Sequence, residues 1–561
     1  MIIGLDVGGT HTDVILAGEN GLVNRAKVLT DTSDLFGTIL TGLDRITADV
    51  RPEDISHAVL STTLTTNAIV TNNLHRAGMI VCAGPGISVD AFKICDDFHV
   101  VDGAIDHSGR EIKGLNEGQI RAAASQLQEK GIDCVGVACK FSTRNPAHEL
   151  KIAEIISPMF ERVFIGHRIS GNFNFPRRIA TTFLNASVYP VHKAFFNAVQ
   201  SSLVKRGLTM PIYILKADGG TMDFKTSIDF PGQSILSGPA ASVMGSVPFA
   251  DTDAETLVLD IGGTTTDMAV LVNGVPLLAP EGIELNGYKT LIRALKTMSV
   301  GLGGDSFVRV DGENIIIGPE RRGPAMAYGG DAPTTPTDAL FVLGKAAGGD
   351  KDAAARGING IAEKLGVSVT AAAYRVFDQT CRQILENARQ MVDMINSRPV
   401  YTVREALKGR RINPDRLLML GGPAPYFADH IQSISDYKVK TVPHWDVANA
   451  IGTALSRTTC EVTLFADTSK RVATAPAERF SESIGSGFDL RAATDMALTL
   501  LKDKALSQGA DVKDLETDLL ESLAFNQVRN FHLVGKTIRV RVQVRPGLVH
   551  NHEAIVRHLE R

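Results

Sequence analysis

No run of apolar residues in this chain is long enough to cross a bilayer, and no basic or apolar signal segment precedes the first strand-like residues, so a cytoplasmic protein is expected. Charge of one sign is also missing. Lys and Arg number 58 against 62 Asp and Glu in 561 residues, which leaves no field to recruit nucleic acid or an anionic membrane and points to small molecules or proteins as partners. The six cysteines, Cys82, Cys95, Cys134, Cys139, Cys381 and Cys460, lack the CxxC spacing of zinc or iron–sulfur sites. They are expected to be buried free thiols. His99, Asp102, Asp106 and His107 read as a polar loop, so no transition-metal site is assigned.

Glycine, by contrast, is plentiful at 52 residues, and Val/Ile-rich runs alternate with helical stretches, as in an α/β protein. A chain of this length is too long for one core and suggests two large domains with a small terminal module. One phrase occurs twice: Asp6-Val7-Gly8-Gly9-Thr10-His11-Thr12-Asp13 and Asp260-Ile261-Gly262-Gly263-Thr264-Thr265-Thr266-Asp267. Each copy lies between apolar runs and reads as strand, tight turn, strand. Paired glycines permit positive φ and bring backbone N–H groups close to an anion, so each copy is a candidate phosphate clamp. The hydroxyls of Thr10, Thr12, Thr264 and Thr266 would add donors. Asp6, Asp13, Asp260 and Asp267 would repel phosphate directly but can hold Mg²⁺ or orient a reacting group. His11, on the first turn, either meets the ligand or is merely solvated; the second copy has Thr265 there.

Ser61 to Asn67 opens a helix, Val135 to Phe141 forms a buried strand, and Ala373 to Ile395 an amphipathic helix. Ile179 to Val199, interrupted by Pro190, reads as two helices or one kinked helix that crosses between domains. Gly303, Gly304 and Asp305 form a glycine turn that would line the cleft, and Gly421 and Gly422 a second turn suited to a base or ribose. Near the C-terminus, Ile538, Val540, Val542 and Val544 alternate with Arg539, Arg541, Gln543 and Arg545, as on a half-solvated or edge strand.

The ordered set of two clamps, a crossing helix and a late Gly-Gly turn resembles the sugar kinase, chaperone and actin superfamily of ATPases. Within it the chain is similar to the hydantoinase A and 5-oxoprolinase family. The resembling stretches are the two clamps, Ser61 to Asn67, Asn145-Pro146-Ala147-His148-Glu149, Asn185 to Val191, Ala217-Asp218-Gly219-Gly220, Ile235 to Ala240, Pro336-Thr337-Asp338 with Leu343-Gly344, Gly421-Gly422-Pro423 and Val534-Gly535. Departures are His11, where members usually carry a bulky residue, the Gly421-Gly422-Pro423-Ala424-Pro425 turn, and a shorter chain.

The resemblance implies duplicated actin-like (ribonuclease H-like) ATPase domains facing across a nucleotide cleft, over residues 1–185 and 186–469, with an α+β module over 470–561. It implies ATP and Mg²⁺ as cofactors, with Asp6 and Asp260 on the metal. Gly8, Gly9, Thr10, His11, Thr12, Gly262, Gly263, Thr264, Thr265 and Thr266 would meet the phosphates, Gly303, Gly304 and Asp305 the nucleotide side, and Gly421 and Gly422 the adenosine; Asp13 or Asp267 would orient the attacking group. The implied reaction is phosphorylation of a cyclic-amide carbonyl oxygen, completed by hydrolysis with a separate B-type subunit in an oligomer. Alternatives are an enolate-phosphorylating subunit of a ketone carboxylase and a non-catalytic nucleotide-switch or activator ATPase.

Overall fold

The computed structural model describes residues 1–561 except 32, 72, 280, 332–333, 398–410 and 560–561. Each of the repeated phrases forms a β-hairpin at the heart of a sheet. The first joins β1 (Ile2–Val7) to β2 (His11–Gly18), and the second joins β3 (Glu255–Ile261) to β4 (Thr266–Val272). Around the first, the strand order is Gly21–Leu29, β2, β1, His57–Thr62, Ile212–Leu215, and then Thr221–Asp223. Around the second it is Val275–Pro276, β4, β3, Arg416–Leu420, Lys438–Thr441, with Thr297–Val300 also pairing with β4. In both, the first three strands run antiparallel and the next two join in parallel. The sequence duplication is therefore a duplication of topology. The first sheet draws its last strands from residues 212–223, and the boundary expected between 185 and 186 lies inside one helix, Phe175–Lys205.

Strand parity assigns the faces. Ile3, Leu5, Val7, Val14 and Leu16 pack outward beneath the helix Leu35–Thr47, while Ile2, Ile15 and Ala17 face the second lobe. Likewise Leu257, Leu259, Ile261, Met268 and Val270 join the outer core that contains the helix Val369–Asn396, whereas Val258, Ala269 and Leu271 face inward. Two short helices fill the space between the inner faces, α1 (Ser237–Ser246) and α2 (Ala448–Leu455). Sequence reading placed the crossing element at Ile179 to Val199 instead. That segment belongs to the single helix Phe175–Lys205, which keeps Pro190 within it and packs mainly in the first lobe, while meeting the second lobe through Leu285, Ile292 and Ala294 and through the Leu291 N–H bond to Thr181 Oγ1.

Glycine sets how closely the crossing helices approach. A Cβ on Gly452 would lie 2.1 Å from the Gly245 nitrogen, one on Gly245 2.3 Å from the Ala448 oxygen, and one on Gly4 of β1 2.2 Å from the Ala450 oxygen. These are backbone clashes that no rotamer change relieves. Gly452→Val is expected to cost about 3 kcal/mol or more in urea unfolding, whereas Gly360→Ala, at a helical position with open space around it, should be neutral or gain roughly 0.5–1 kcal/mol. Equal midpoints for the two variants would contradict this packing.

A parallel sheet of Arg162–Ile165, Cys134–Cys139, Gly78–Cys82 and Phe98–Val100 is attached to the first lobe. The C-terminal module is a five-stranded antiparallel sheet covered by the helix Leu490–Ser507, and it begins with Glu461–Asp467, somewhat before the expected boundary at 470. Its strand His532–Val544 is interior, between Glu461–Asp467 and Thr517–Arg529, and is not an edge. Arg539, Arg541 and Arg545 accordingly pair with Glu521, Glu461 and Asp518 on the flanking strands instead of being solvated. All six cysteines are free thiols. Among the described residues no helix is long and apolar enough to cross a membrane.

Candidate active site

Both hairpins close with the same backbone bond, Gly8 N–H to the His11 carbonyl (3.0 Å) and Gly262 N–H to the Thr265 carbonyl (2.9 Å). None of Gly8, Gly9, Gly262 and Gly263 has positive φ, which corrects the reason expected for these residues. They are small because space is short: a Cβ on Gly8 would come 2.8 Å from the His11 oxygen, and one on Gly263 2.8 Å from an Asp305 carboxylate oxygen. Thr10, His11 and Thr264 are exposed at the tips, and Thr265 is half-exposed.

Thr12 and Thr266 are fully buried. Thr12 Oγ1 shares a 2.9 Å hydrogen bond with Thr30 Oγ1, and Thr266 Oγ1 donates to the Leu302 carbonyl at 2.6 Å. Each is one residue out of phase with its aspartate, so it points to the outer face of its sheet. The structure places these two hydroxyls away from the cleft, in contrast to the expectation from sequence.

The aspartates lie on the inner faces. Asp6 stands directly opposite Asp13, and Asp260 directly opposite Asp267. Like charges at such positions repel, and each row is finished by a residue that moderates this. In the first, Lys27 pairs with Asp13 at 2.5 Å; in the second, Ser299 stands opposite Asp267 and hydrogen-bonds it. The crossing helices tie the rows together, since Asn449 of α2 donates to Asp6 Oδ2 at 3.4 Å and also bonds Asp260, while Ser242 of α1 donates to Asp260 Oδ2. Lys27, Ser299, Ser242 and Asn449 were not read as site residues from the sequence. Only the Lys27 position, opposite Asp13 across a second hairpin, offered a signal.

Burial, followed by the neighbouring Asp13, pushes the Asp6 carboxyl up to about 7; burial, followed by Asp260, pushes Asp267 up to about 7 as well. Burial also raises Asp13 against the opposing Lys27 charge, and raises Asp260 against its bonds to Ser242 and Asn449. Asp6 Oδ1 and Asp267 Oδ1 are buried without a hydrogen-bond partner. Each of these carboxylate pairs suits a shared proton or one contact to a cation.

The Gly303-Gly304-Asp305 turn braces the second hairpin, with Gly304 N–H to the Gly262 carbonyl (2.9 Å) and Asp305 N–H to the Gly263 carbonyl (2.7 Å). Asp305 also pairs with Arg321 at 3.1 Å. Gly421 has φ +94°, and a Cβ there would lie 2.4 Å from Asp260 Oδ1; Gly422 faces open space. Among the described residues no three His, Cys, Asp or Glu side chains form a metal-binding group. Any divalent ion here would therefore take one or two carboxylates and complete its shell with water and ligand oxygens, the usual habit of Mg²⁺.

Fold and site together define a mixed α/β protein of several sheets whose two topologically equivalent lobes bring paired carboxylates to one interface. The chain belongs to the hydantoinase/oxoprolinase family: the family model described as Hydantoinase/oxoprolinase matches residues 178–462, and that for the family's N-terminal region matches residues 2–160. Relatives include an uncharacterized protein of Methanocaldococcus jannaschii, 27% identical over 67% of this chain and 62% of its own length. Caprolactamase subunit alpha of Pseudomonas jessenii is 26% identical over 66% of this chain and 60% of its own. The acetophenone carboxylase gamma subunit of Aromatoleum aromaticum is 27% identical over 61% and 53%. The chain thus spans between about half and three fifths of the length of these relatives. Among solved structures, the fold is similar to nucleotide-free acetone carboxylase (TM-score 0.71, 17% identity, 99% of this chain and 88% of that one) and to the ATP-dependent caprolactamase of Pseudomonas jessenii (0.70, 20%, 98% and 88%).

Proposed function

We propose that the chain is the ATP-dependent subunit of a hydantoinase/oxoprolinase-type enzyme, built from two actin-like lobes, that transfers the γ-phosphoryl group of ATP to the carbonyl oxygen of a cyclic amide. The convergence of the four aspartates from equivalent hairpins carries this reading. Two buried carboxylate oxygens without partners and four raised carboxyl groups fit a divalent cation, with Asp6 and Asp260 as its protein contacts; Mg²⁺, when bound, neutralises phosphate charge. The N–H groups of Gly9, Thr10, Gly263 and Thr264 would meet phosphate oxygens, with Gly8 and Gly262 shaping the tips through their closing bonds, His11 and Thr265 beside them and Gly422 open towards the nucleoside. Asp13, poised by Lys27, or Asp267 would orient the reacting group. Gly303, Gly304 and Asp305 act by holding the second tip in place.

Amide resonance makes a lactam carbonyl a poor electrophile, and phosphorylating its oxygen supplies a leaving group, so the protein's contribution is mainly positioning and electrostatics. Hydrolysis would then require a B-type partner subunit. The relatives include both a lactamase and carboxylases, so phosphorylation of a ketone enolate before carboxylation is the second reading.

The test is calorimetric titration with MgATP, followed by ADP release from the chain copurified with the product of an adjacent reading frame, using hydantoins, lactams and ketones with and without bicarbonate. Lactam- or hydantoin-stimulated turnover without bicarbonate is the expected result. Strict bicarbonate dependence with a ketone would select the carboxylase reading, and absence of MgATP binding would reject both.

A further inference from the structure

The Ala217-Asp218-Gly219-Gly220 motif plays no part in the nucleotide reading, yet with Lys216 it lies at the junction of three parts of the molecule. The Lys216–Gly220 turn, residues 278–279, 281–282 and 291–293 of the second lobe and the C-terminal sheet line a cavity of about 370 Å³, also reached by Asn185 and by residues 168–172. That volume is in the range of small-molecule sites. None of the four hairpin aspartates lines it.

Its charges do not balance. Arg541 and Glu461 form a two-bond pair at 3.0 and 2.9 Å, Lys504 Nζ lies 2.7 Å from Glu478, and Glu281 turns to Arg177 at 2.7 Å. Asp218, by contrast, serves two cations, Lys216 Nζ at 3.5 Å and Arg293 Nε at 3.2 Å. Lys216 is further held by the Thr459 carbonyl (2.6 Å) and Oγ1 (2.7 Å), and Thr459 Oγ1 in turn donates to Asp218. Arg293 Nη1 has no hydrogen-bond partner. Arg168 makes no salt bridge within 4 Å among the described residues, the nearby charges acting on it being Arg479 and Glu149, and its Nε also lacks a hydrogen bond. Arg293 Nη2 donates to the Val544 carbonyl at 3.4 Å, so what remains on each of the two guanidinium groups is an N–H without a hydrogen bond, in a partly desolvated setting where charge-assisted hydrogen bonds are strong.

We infer that this cavity is a binding site for a small organic carboxylate of amino-acid size, recognised through Arg293 and Arg168. A guanidinium fork matches a carboxylate in two parallel hydrogen bonds, and Asn172, Gln233 and Gln543 in the lining offer amides to the rest of such a molecule. The C-terminal module, which supplies Glu461, Lys504 and Arg541, is then part of a ligand site rather than an appendage. The inference does not rest on the nucleotide reading, and either can fail alone.

Calorimetry on the full chain with glutarate, its neutral analogue glutaramide and inorganic phosphate tests this. Saturable glutarate binding is expected, at least tenfold tighter than glutaramide or phosphate and at least tenfold weaker in Arg293→Met and Arg168→Gln. If Arg293→Met does not fold, Arg168→Gln decides, because Arg168 makes no salt bridge among the described residues. No glutarate binding, preference for phosphate, or unchanged glutarate affinity in a folded Arg168→Gln variant would overturn the proposal.

Discussion

Asp260→Asn is expected to lower MgATP-dependent turnover by roughly 10²–10³-fold, the usual cost of removing one preorganised electrostatic partner from a reacting site. Asp260 occupies the densest point of the site. It lies opposite Asp267, accepts a hydrogen bond from Ser242 of one crossing helix, bonds Asn449 of the other, and packs against Gly421. Asparagine preserves the shape but removes the charge available to a cation, so the loss should be in chemistry and metal dependence rather than in folding. The same substitution at Asp6 should act in the same direction. Thr12→Val provides the contrast, because its hydroxyl lies on the outer face against Thr30; turnover should change by no more than a few-fold. Measured steady-state rates and Mg²⁺ titrations decide the matter. An Asp260→Asn enzyme within tenfold of the parent, or a Thr12→Val enzyme as impaired as Asp260→Asn, would refute the assignment of faces.

Much of this arrangement was legible in the sequence because hairpins are local. The repeated Asp-x-Gly-Gly-Thr phrase specifies the turn, and the two-residue period of a strand fixes which side chains share a face. The same period places Thr12 and Thr266 on the outer side, one step from their aspartates, and reading hydroxyl chemistry without parity misplaced them. The crossing helices were harder to see. The Ser237–Ser246 helix is buried nearly all round and rich in small residues, so it has no apolar stripe to announce a helix, whereas Ile179 to Val199 shows helical periodicity but packs mainly within the first lobe and does not lie between the two inner sheet faces. Ser242 and Asn449 reach the carboxylates only through that tertiary placement. The arginines near the C-terminus looked solvated because alternation alone cannot distinguish water from flanking carboxylate-bearing strands. Finally, the sequence contrast between copies, His11 against Thr265, lies at the exposed tips; the inner rows differ more consequentially in Lys27 against Ser299.

The second large effect is on stability, and its sign follows from the raised carboxyls. Asp6 is 5% exposed and its pKa stands at about 7 rather than 3.8. The folded chain therefore holds a proton that the unfolded chain releases over that interval, so the stabilising contribution is complete below about pH 3.8 and is lost as pH rises through about 7. At 1.36 kcal/mol per unit this is of order 4 kcal/mol for Asp6 as an upper bound, with Asp267 acting in the same direction. Without divalent cation, the urea midpoint should fall between pH 5 and pH 8, and Asp6→Asn should flatten the fall and raise the midpoint at pH 8. On the proposed reading MgATP would favour the ionised carboxylates and bind only the folded chain, so at about 100 times its Kd it should restore roughly 2.7 kcal/mol at pH 8 and do progressively less below pH 7, where protons compete for the same oxygens. A midpoint that is flat with pH and unaffected by Asp6→Asn would mean that the carboxylates are already neutralised within the chain. The Asp6→Asn variant thus separates the two costs of the quartet, since it should gain stability under the same conditions in which it loses turnover.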